Sequence, residues 1–349
     1  MAQRVTLETI ARASGVSLAT VSLVLRDKPG IHQETRRRVL SAARQLGYQR
    51  KPAELLMPPA LQQIGVLIKS RADDPPQSNP FYAPVLAGIE ASCRRQQINM
   101  LYATVPVDED NYPQELPRLL MEDDLDGLLL VGAFVGATIA HLMQRRAIPT
   151  VLVDSYAADN SYDSVVSDNF RGAYQAVSYL IRSGHQHIGL AGSLPRAYPS
   201  IAERRRGYAQ ALADHGLAEQ YFADCHFNQS EAIVSTQALL RRAPQVSAMF
   251  CTNDYMAVAV TQAAHELGLR VPEDLSIVGF DDIELAAHVQ PPLTTMQIDK
   301  ISMGRMAVQL LTNRAEQPAA GGVTLMLRPT LIERQSVRAL AALASAGSG

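Results

Sequence analysis

From residue 64 onwards, short apolar runs alternate with amphipathic stretches, and this pattern constrains the fold more than any other feature. The apolar runs are Ile64–Ile68, Asn99–Tyr102, Gly127–Val131, Thr150–Val153, His187–Ala191, Ala248–Cys251 and Leu275–Gly279. Stretches such as Tyr82–Gln97 and Ala173–Ser183 have helical spacing. Near-continuous apolar strands separated by helices are typical of parallel βαβ units with both sheet faces covered. A ligand would bind in the loops at the carboxyl ends of these strands.

Charge divides the chain into a basic beginning and an acidic remainder. Residues 1–51 contain ten Lys and Arg against three acidic residues, a net charge of +7. The whole chain has 32 basic and 34 acidic residues, so the remainder has 22 against 31, or −9. Such asymmetry indicates a small polyanion-binding module joined to a body with another role. A chain of 349 residues predicts two or three domains.

Several classes of protein are disfavoured by what the sequence lacks. Its three cysteines are far apart and form no CxxC pair, which argues against a disulfide framework or a zinc site. We find no secretory leader and no apolar run of roughly 18 residues, so we expect a cytoplasmic protein without a membrane partner. His185 and His187 lack a third metal ligand nearby, and the run Gly189–Ser193 lacks the third glycine of a dinucleotide fingerprint. We therefore expect no cofactor and no catalysis.

The basic segment predicts a helix-turn-helix followed by a third helix. Thr6 and Ser17 are candidate N-caps of the first two helices, and Gly15 suits the tight turn between them. The third helix is predicted from Gln33 to Leu46, with Gly47 ending it. A three-helix bundle with a solvated basic face is the alternative. Charge asymmetry, turn spacing and caps together favour a second helix that enters the DNA major groove.

This segment resembles the headpiece of the LacI/GalR family of bacterial transcription regulators. The likeness is carried by Val5-Thr6-Leu7, Ile10-Ala11, Ala13, Gly15-Val16-Ser17, Thr20-Val21-Ser22 and Leu25, then by Thr35-Arg36, Arg38-Val39, Ala42-Ala43 and Leu46-Gly47-Tyr48. It implies that phosphates are contacted by Ser17, Thr20 and Ser22. The base-reading positions hold Leu18, Ala19 and Leu23, which suit thymine methyl groups but cannot bond guanine in bidentate fashion. Thr6 and Arg26 complete the expected DNA-binding set, with Arg26 supplying a polar contact.

Residues 49–63 form the predicted hinge or linker. In relatives this segment folds on DNA into a short helix that wedges a side chain into the minor groove, and Met57 falls at the wedge position. Glu54 stands where a small residue is usual, and Pro58-Pro59 follows at once. A plain extended linker is therefore the alternative.

The body also resembles this family, as far as about residue 335. The matching residues are Asp154, Asp168-Asn169, Gly184-His185, His187-Ile188, Arg204-Arg205-Arg206-Gly207-Tyr208, Asn253-Asp254, Ala257, Val278-Gly279-Phe280-Asp281-Asp282, Pro291-Pro292-Leu293-Thr294-Thr295, Met303-Gly304 and Ala307. The resemblance implies an all-α headpiece plus an α/β effector domain of two Rossmann-like lobes, similar to periplasmic binding proteins. The lobes would be joined by three crossovers, near residues 161–164, 290–293 and 320–323. We expect the headpiece at 1–48, the linker at 49–63, the effector-binding and dimerisation domain at 64–335 and a flexible tail at 336–349.

The same resemblance implies an effector site in the cleft between the lobes. Its residues would be Phe81, Asp154, Arg204, Phe227, Asn253 and Asp281. A guanidinium, an amide and two carboxylates can hydrogen-bond vicinal hydroxyls, and the two phenylalanines offer flat surfaces to a sugar ring. The alternatives are that Phe81 is a core residue and that Asn253 only caps a helix. Of the adjacent Asp281 and Asp282, the family pattern favours the first as the cleft residue.

The predicted function is a ligand-responsive repressor that binds a pseudo-palindromic DNA operator as a homodimer. The effector would be a sugar or sugar derivative, a sugar phosphate, or a nucleoside or purine. Whether it acts as inducer or corepressor stays open. Linkage requires that effector and operator change each other's affinity by the same factor, but it does not say whether the affinity rises or falls. The tail after Arg338 is too short for a coiled coil, which favours a dimer over a tetramer. The rival hypothesis is a sugar- or nucleotide-modifying enzyme with a DNA-binding appendage.

Overall fold

A computed structural model describes residues 6–25, 31–46, 48, 61–71, 76, 79–121, 124–136, 139–141, 143, 148–157, 162–226 and 228–340, except for the side chain of Ala19. The chain divides into two compact units, Met1–Pro59 and Ala60–Gly349. The domain boundaries expected from the sequence stay a prediction. Among the described residues, no helix is both long enough and apolar enough to cross a membrane.

The first unit contains the three expected helices around a small apolar core. They are α1 (Leu7–Ser14), α2 (Leu18–Leu25) and α3 (Gln33–Gln45). The predicted N-caps are confirmed, because Thr6 Oγ1 accepts from Thr9 N at 3.3 Å and Ser17 Oγ accepts from Thr20 N at 3.1 Å. Gly15 takes the left-handed conformation, φ 67°, that the turn between α1 and α2 requires. The core is formed by Ile10, Val21, Val24, Val39, Ala42 and Ala43. Gly47 lies outside the described residues.

The second unit consists of alternating strands and helices, and its first strand begins at Gln63. Its strands are β1 (Gln63–Ser70), β2 (Asn99–Pro106), β3 (Gly127–Val131), β4 (Phe134–Val135), β5 (Thr150–Val153), β6 (Tyr156–Ala157), β7 (Asp163–Ser167), β8 (Ile188–Ala191), β9 (Tyr221–Ala223), β10 (Ala248–Cys251), β11 (Ser276–Asp281), β12 (Thr294–Gln297), β13 (Thr324–Leu327) and β14 (Thr330–Ile332). Its helices are α4 (Tyr82–Gln96), α5 (Asn169–Arg182), α6 (Pro199–Asp214), α7 (Gln229–Arg242), α8 (Asp254–Glu266), α9 (Leu285–His288) and α10 (Lys300–Glu316), with a 3-10 turn at Arg118–Met121.

Twelve of these strands form one six-stranded sheet in each of two lobes, and β4 and β6 pair in a separate two-stranded sheet. The N-lobe sheet has the order β13-β7-β5-β3-β1-β2 and is parallel throughout. The C-lobe sheet has the order β14-β12-β11-β10-β8-β9 and is parallel except for β14, which pairs antiparallel with β12. Helices α4 and α10 contact each other on the N-lobe sheet, while α5 to α8 belong to the C-lobe. The expected βαβ architecture is confirmed.

The chain crosses between the lobes at different places from those predicted. N-lobe strand β7 ends at Ser167 and C-lobe helix α5 begins at Asn169, so the first crossover is at residue 168. The second occupies residues 298–299, between β12 and α10, and the third occupies residues 328–329, between β13 and β14. The predicted positions near 161–164, 290–293 and 320–323 are therefore wrong. Each precedes or enters a short strand whose polar first residue (Asp163, Thr294 or Thr324) hid the strand from a search for apolar runs.

Residues 336–340, which we expected to begin a flexible tail, are bonded to the C-lobe. The Ser336 hydroxyl donates to the Ile277 carbonyl oxygen at 2.6 Å and accepts from Thr294 N at 2.8 Å. The amide of Leu340 donates to the Ser183 carbonyl oxygen at 2.7 Å. This part of the expectation was wrong because the segment satisfies backbone groups along the edge of the lobe. Residues 341–349 lie outside the described part of the chain.

Candidate functional site

A cavity of about 480 Å³ lies between the N-lobe and the C-lobe. Residues at or just beyond the carboxyl ends of strands line it, as expected for parallel α/β sheets. They include Lys69 near the end of β1, Asp154 directly after β5, Asn253 two residues after β10 and Asp281 at the end of β11. Its volume is in the range of small-molecule sites. The cavity therefore brings both lobes to one candidate ligand.

Five of the six residues predicted for the effector site line this cavity. They are Phe81, Asp154, Arg204, Asn253 and Asp281. Phe227, the sixth, lies outside the described residues. The structure thus brings the five together, and their role in binding stays a prediction.

Arg204 is the most firmly held of these side chains. Its Nη2 lies 3.2 Å from Asp281 Oδ1, its Nε donates to Asn169 Oδ1 at 2.9 Å, and its Nη1 donates to the Thr252 carbonyl oxygen. The guanidinium carbon also sits 3.8 Å from the centre of the Phe280 ring. A planar group fixed on this many sides presents its remaining donors in one orientation. Such pre-organisation suits recognition of a polar ligand.

The two cleft carboxylates are buried, and burial raises the pKa of each. For Asp281, the positive charges of Arg204 and Lys300 oppose this rise in pKa. For Asp154, the charge of Lys69 and the Tyr82 hydroxyl, which donates to Oδ2 at 2.9 Å, oppose it. Both residues have left-handed backbone conformations, with φ 47° at Asp154 and φ 100° at Asp281. Strained backbone of this kind recurs at ligand sites, where it aims a side chain.

Asn253 and Asp254 begin helix α8 at the floor of the cavity. The alternative that Asn253 caps this helix is confirmed, since its side chain accepts from Met256 N at 2.8 Å. The residue also lines the cavity, so capping does not remove it from the site. Asp254 accepts from Ile283 N at 2.8 Å and from the Thr295 hydroxyl at 2.5 Å. Burial, followed by the charge of Asp281, raises the pKa of Asp254 to about 8.

Most of the N-lobe wall was not predicted from the sequence. Lys69, Asn79, Tyr82 and Asn111 of the N-lobe also line the cavity, as does Tyr198, the N-cap of the C-lobe helix α6. The Tyr82 ring meets the Phe81 ring edge-on, with centroids 5.0 Å apart, so Phe81 is part of an aromatic wall. Lys69 could have been predicted from the sequence, because ligands bind at the carboxyl ends of parallel strands and Lys69 is a charged residue at such an end. The other residues come from loops and helix starts, for which spacing along the chain carries no comparable signal.

Six of the nine predicted DNA-binding residues lie on α2 or directly before it. Ser17 and Thr20 share a hydroxyl–hydroxyl bond of 2.8 Å at its beginning. Leu18 is 48% exposed and Leu23 is 40% exposed, although α2 belongs to a unit with an apolar core. Thr6 is exposed at the start of α1. Ser22 and Ala19 also lie on α2, and the side chain of Ala19 is not described. Arg26 and Met57 lie outside the described residues.

The two histidines that the sequence drew attention to have structural partners. His185 Nδ1 pairs with Ser247 Oγ at 2.9 Å, and its Nε2 pairs with the Arg338 carbonyl oxygen at 3.2 Å. His187 Nδ1 pairs with the Tyr221 hydroxyl at 3.0 Å. Within the described ranges, no cluster of three or more His, Cys, Asp or Glu side chains has an arrangement that could hold a metal ion.

Comparison with known proteins confirms the resemblance and the fold class. Residues 6–51 match the profile of bacterial regulatory proteins of the lacI family, and residues 177–337 match that of the periplasmic binding protein-like domain. The chain is 34% identical to the ribose operon repressor of Haemophilus influenzae, covering 96% of this chain and 99% of that protein. It is 31% identical to the repressor PurR of Aliivibrio salmonicida, with the same coverage. The solved complex of the transcriptional regulator CelR with cellobiose matches with a TM-score of 0.67 at 27% identity, covering 95% of this chain and 100% of that one.

Proposed function

Because the chain belongs to the LacI family of bacterial regulatory proteins, we propose that it is a transcriptional repressor controlled by a small molecule. The observation that carries this proposal is the cavity between the lobes, where Arg204 is held against Asp281 and faces the wall that contains Asp154. A ligand that bonds to both lobes changes their closure, and the headpieces respond to that change. The protein acts in the cytoplasm, where bacterial operators lie.

The effector binds in this cavity through oriented hydrogen bonds. Arg204 donates while Asp154 and Asp281 accept, which matches vicinal hydroxyls, and Phe81 offers an aromatic surface to a ring. Relatives are named for a ribose operon, and a similar structure holds cellobiose. These names support a sugar or sugar derivative as the ligand class, with a nucleoside or purine as the alternative.

DNA binding belongs to the first unit. Ser17, Thr20 and Ser22 contact phosphates, while the exposed Leu18 and Leu23 reach thymine methyl groups in the major groove. Thr6, Ala19 and Arg26 complete this surface, and Met57 enters the minor groove from the hinge. A homodimer presents two such surfaces to a pseudo-palindromic operator.

Binding without turnover is the activity we assign to the cavity. The described residues that line it include neither His nor Cys, the usual general base and thiol nucleophile of covalent catalysis. Relatives that match over almost the whole chain are repressors. Both observations favour a regulator over the modifying enzyme.

Selection from random double-stranded DNA tests the proposal. We expect the protein to enrich a pseudo-palindrome, and its affinity to fall steeply with salt because phosphate contacts release counterions. Leu18→Ala should weaken binding to that sequence by about tenfold, in line with one lost base contact.

Leu40→Ala is the matched control, since Leu40 is an exposed leucine (36%) on α3 of the same unit. We expect its operator affinity to stay within about twofold of wild type, because it lies outside the proposed surface. Failure to enrich any sequence would contradict DNA recognition. Equal losses from Leu18→Ala and Leu40→Ala would contradict the assignment of α2.

A further inference from the structure

Two cations of the N-lobe converge on one buried amide at the edge of the cavity. Lys69 Nζ and Arg71 Nη2 each donate to Asn111 Oδ1 at 3.1 Å, so the two nitrogens are at most 6.2 Å apart. All three residues line the cavity, and Asn111 is held in a left-handed conformation with φ 64°. We call Lys69, Arg71 and Asn111 the basic corner. Oxygens of a single anionic group can reach both nitrogens at ordinary bond lengths.

Within the described part of the chain, Arg71 has only neutral partners. Its Nη2 donates to Asn111 Oδ1 and to the Glu109 carbonyl oxygen, while its Nε is buried without a hydrogen-bond partner. The Glu109 carboxylate is directed elsewhere, with Oε2 3.7 Å from His226 Nε2. An inaccessible donor of a charged group is costly to leave unsatisfied. An anionic acceptor bonded to the Nη nitrogens would offset part of the cost of holding this charge in the protein.

The charges of the described residues that line the cavity do not cancel at neutral pH. Arg204 is paired with Asp281, and the charge of Lys69 acts on Asp154, lowering the pKa of that carboxyl against the effect of burial. Asp254, the remaining acidic residue in the lining, has a pKa of about 8 and is mostly protonated at pH 7. Among the described residues that line the cavity, the positive charge of Arg71 thus has no counter-charge.

We propose that the effector is an anionic polyol, whose phosphate or carboxylate binds at the basic corner while its hydroxyls bind Arg204, Asn253 and Asp281 on the C-lobe. This inference rests on the proposed function, because it takes the cavity to be the effector site. The two ends of such a ligand engage opposite lobes. The anionic group therefore contributes to closure as well as to affinity.

Calorimetric titration of the full-length protein with matched compounds tests the inference. The phosphate arm compares ribose with ribose 5-phosphate and glucose with glucose 6-phosphate, the carboxylate arm compares glucose with gluconate, and inorganic phosphate is titrated alone. We expect at least one anionic compound to bind at least about tenfold more tightly than its neutral parent, as a charge-assisted hydrogen bond provides. The arm that responds identifies the anionic group.

Arg71→Gln and Lys69→Gln should each lower the affinity for that anionic compound by about tenfold and leave the neutral parent within about twofold. Arg95→Gln, which removes an exposed charge from α4, should change neither. Thermal melts without ligand show whether each variant is folded. Equal affinity for anion and parent, or equal losses of both in Arg71→Gln, would overturn the inference and leave the proposed function standing. If no compound of either kind bound, this inference would fail, while selection from random DNA would still decide the proposed function.

Discussion

At the scale of single residues, Asp254 ties the stability of the C-lobe to pH. Its carboxyl is buried at the start of α8 between the Ile283 amide and the Thr295 hydroxyl, and its pKa is about 8. The folded state therefore holds a proton that the unfolded chain, with an ordinary aspartate pKa near 4, releases. Because the folded state binds more protons between these two values, stability falls as pH rises through that interval and levels off above pH 8.

The variant Asp254→Asn should remove this dependence. An asparagine can still accept from Ile283 and can donate to the Thr295 hydroxyl, so the site stays satisfied. Between pH 6 and pH 8, wild type should lose about 2 kcal/mol of unfolding free energy relative to the variant. Urea titrations at both pH values measure this difference.

Asp274→Asn serves as the matched control. The hydrogen bond from exposed Arg270 lowers the pKa of Asp274 to about 2, so its titration is complete well below pH 6. Its stability offset from wild type should be the same at pH 6 and pH 8. A wild-type loss that persists in Asp254→Asn would show that another group carries it.

The candidate site was predictable where chemistry and family pattern agreed on a residue. Asp154, Arg204 and Asp281 are polar residues that follow strands or sit in matched motifs, and the structure brings them together. Asn111 belongs to the loop after β2, and its place in the cavity depends on tertiary contacts with Lys69 and Arg71. Such contacts have no period along the chain, so no pattern could reveal them.

At the scale of elements, α4 and α10 approach each other through two glycines. A Cβ at Gly304 would overlap the Val85 carbonyl oxygen, and one at Gly88 would overlap the Ile301 carbonyl oxygen. The atoms in the way belong to the backbone, which cannot rotate away as a flexible side chain can. The helices cannot keep this separation with any larger residue at either position.

Gly304→Ala should therefore destabilise the second unit, even though alanine is the better helix former. We expect a loss of about 2 kcal/mol or more, the usual scale of overpacking, seen as a lower urea midpoint. Gly321→Ala is the control, because a Cβ there would meet nothing within 4 Å and its backbone is not left-handed. A midpoint unchanged by Gly304→Ala would mean that the helices separate at little cost.

Strands were predictable when they were apolar and central. β3, β5 and β10 are buried along their whole length, and their apolar runs were visible in the sequence. By contrast, β13 is a half-exposed edge strand and β12 begins with two buried threonines. The residue types of β13 suit an exposed sheet edge, and the threonines of β12 suit hydrogen bonding. Neither strand therefore shows the apolar run that a sequence search detects. Two of the three misplaced crossovers, those predicted near 290–293 and 320–323, adjoin these two strands.

At the scale of the whole molecule, one chain joins a basic segment, residues 1–51 with a net charge of +7, to a ligand-binding body of opposite sign. The charge suits the first unit to a polyanion, while the second holds a cavity that two lobes share. Each unit could bind its partner independently. Regulation requires in addition that the two binding events change each other's free energy.

The most direct test of this account measures that coupling in both directions. Operator affinity is measured by fluorescence anisotropy with and without saturating effector, and effector affinity by calorimetry with and without saturating operator. We predict the same factor in both experiments, in the range of about 5- to 150-fold, as thermodynamic linkage requires. Operator affinity that is identical with the cavity empty and with it saturated would contradict the account.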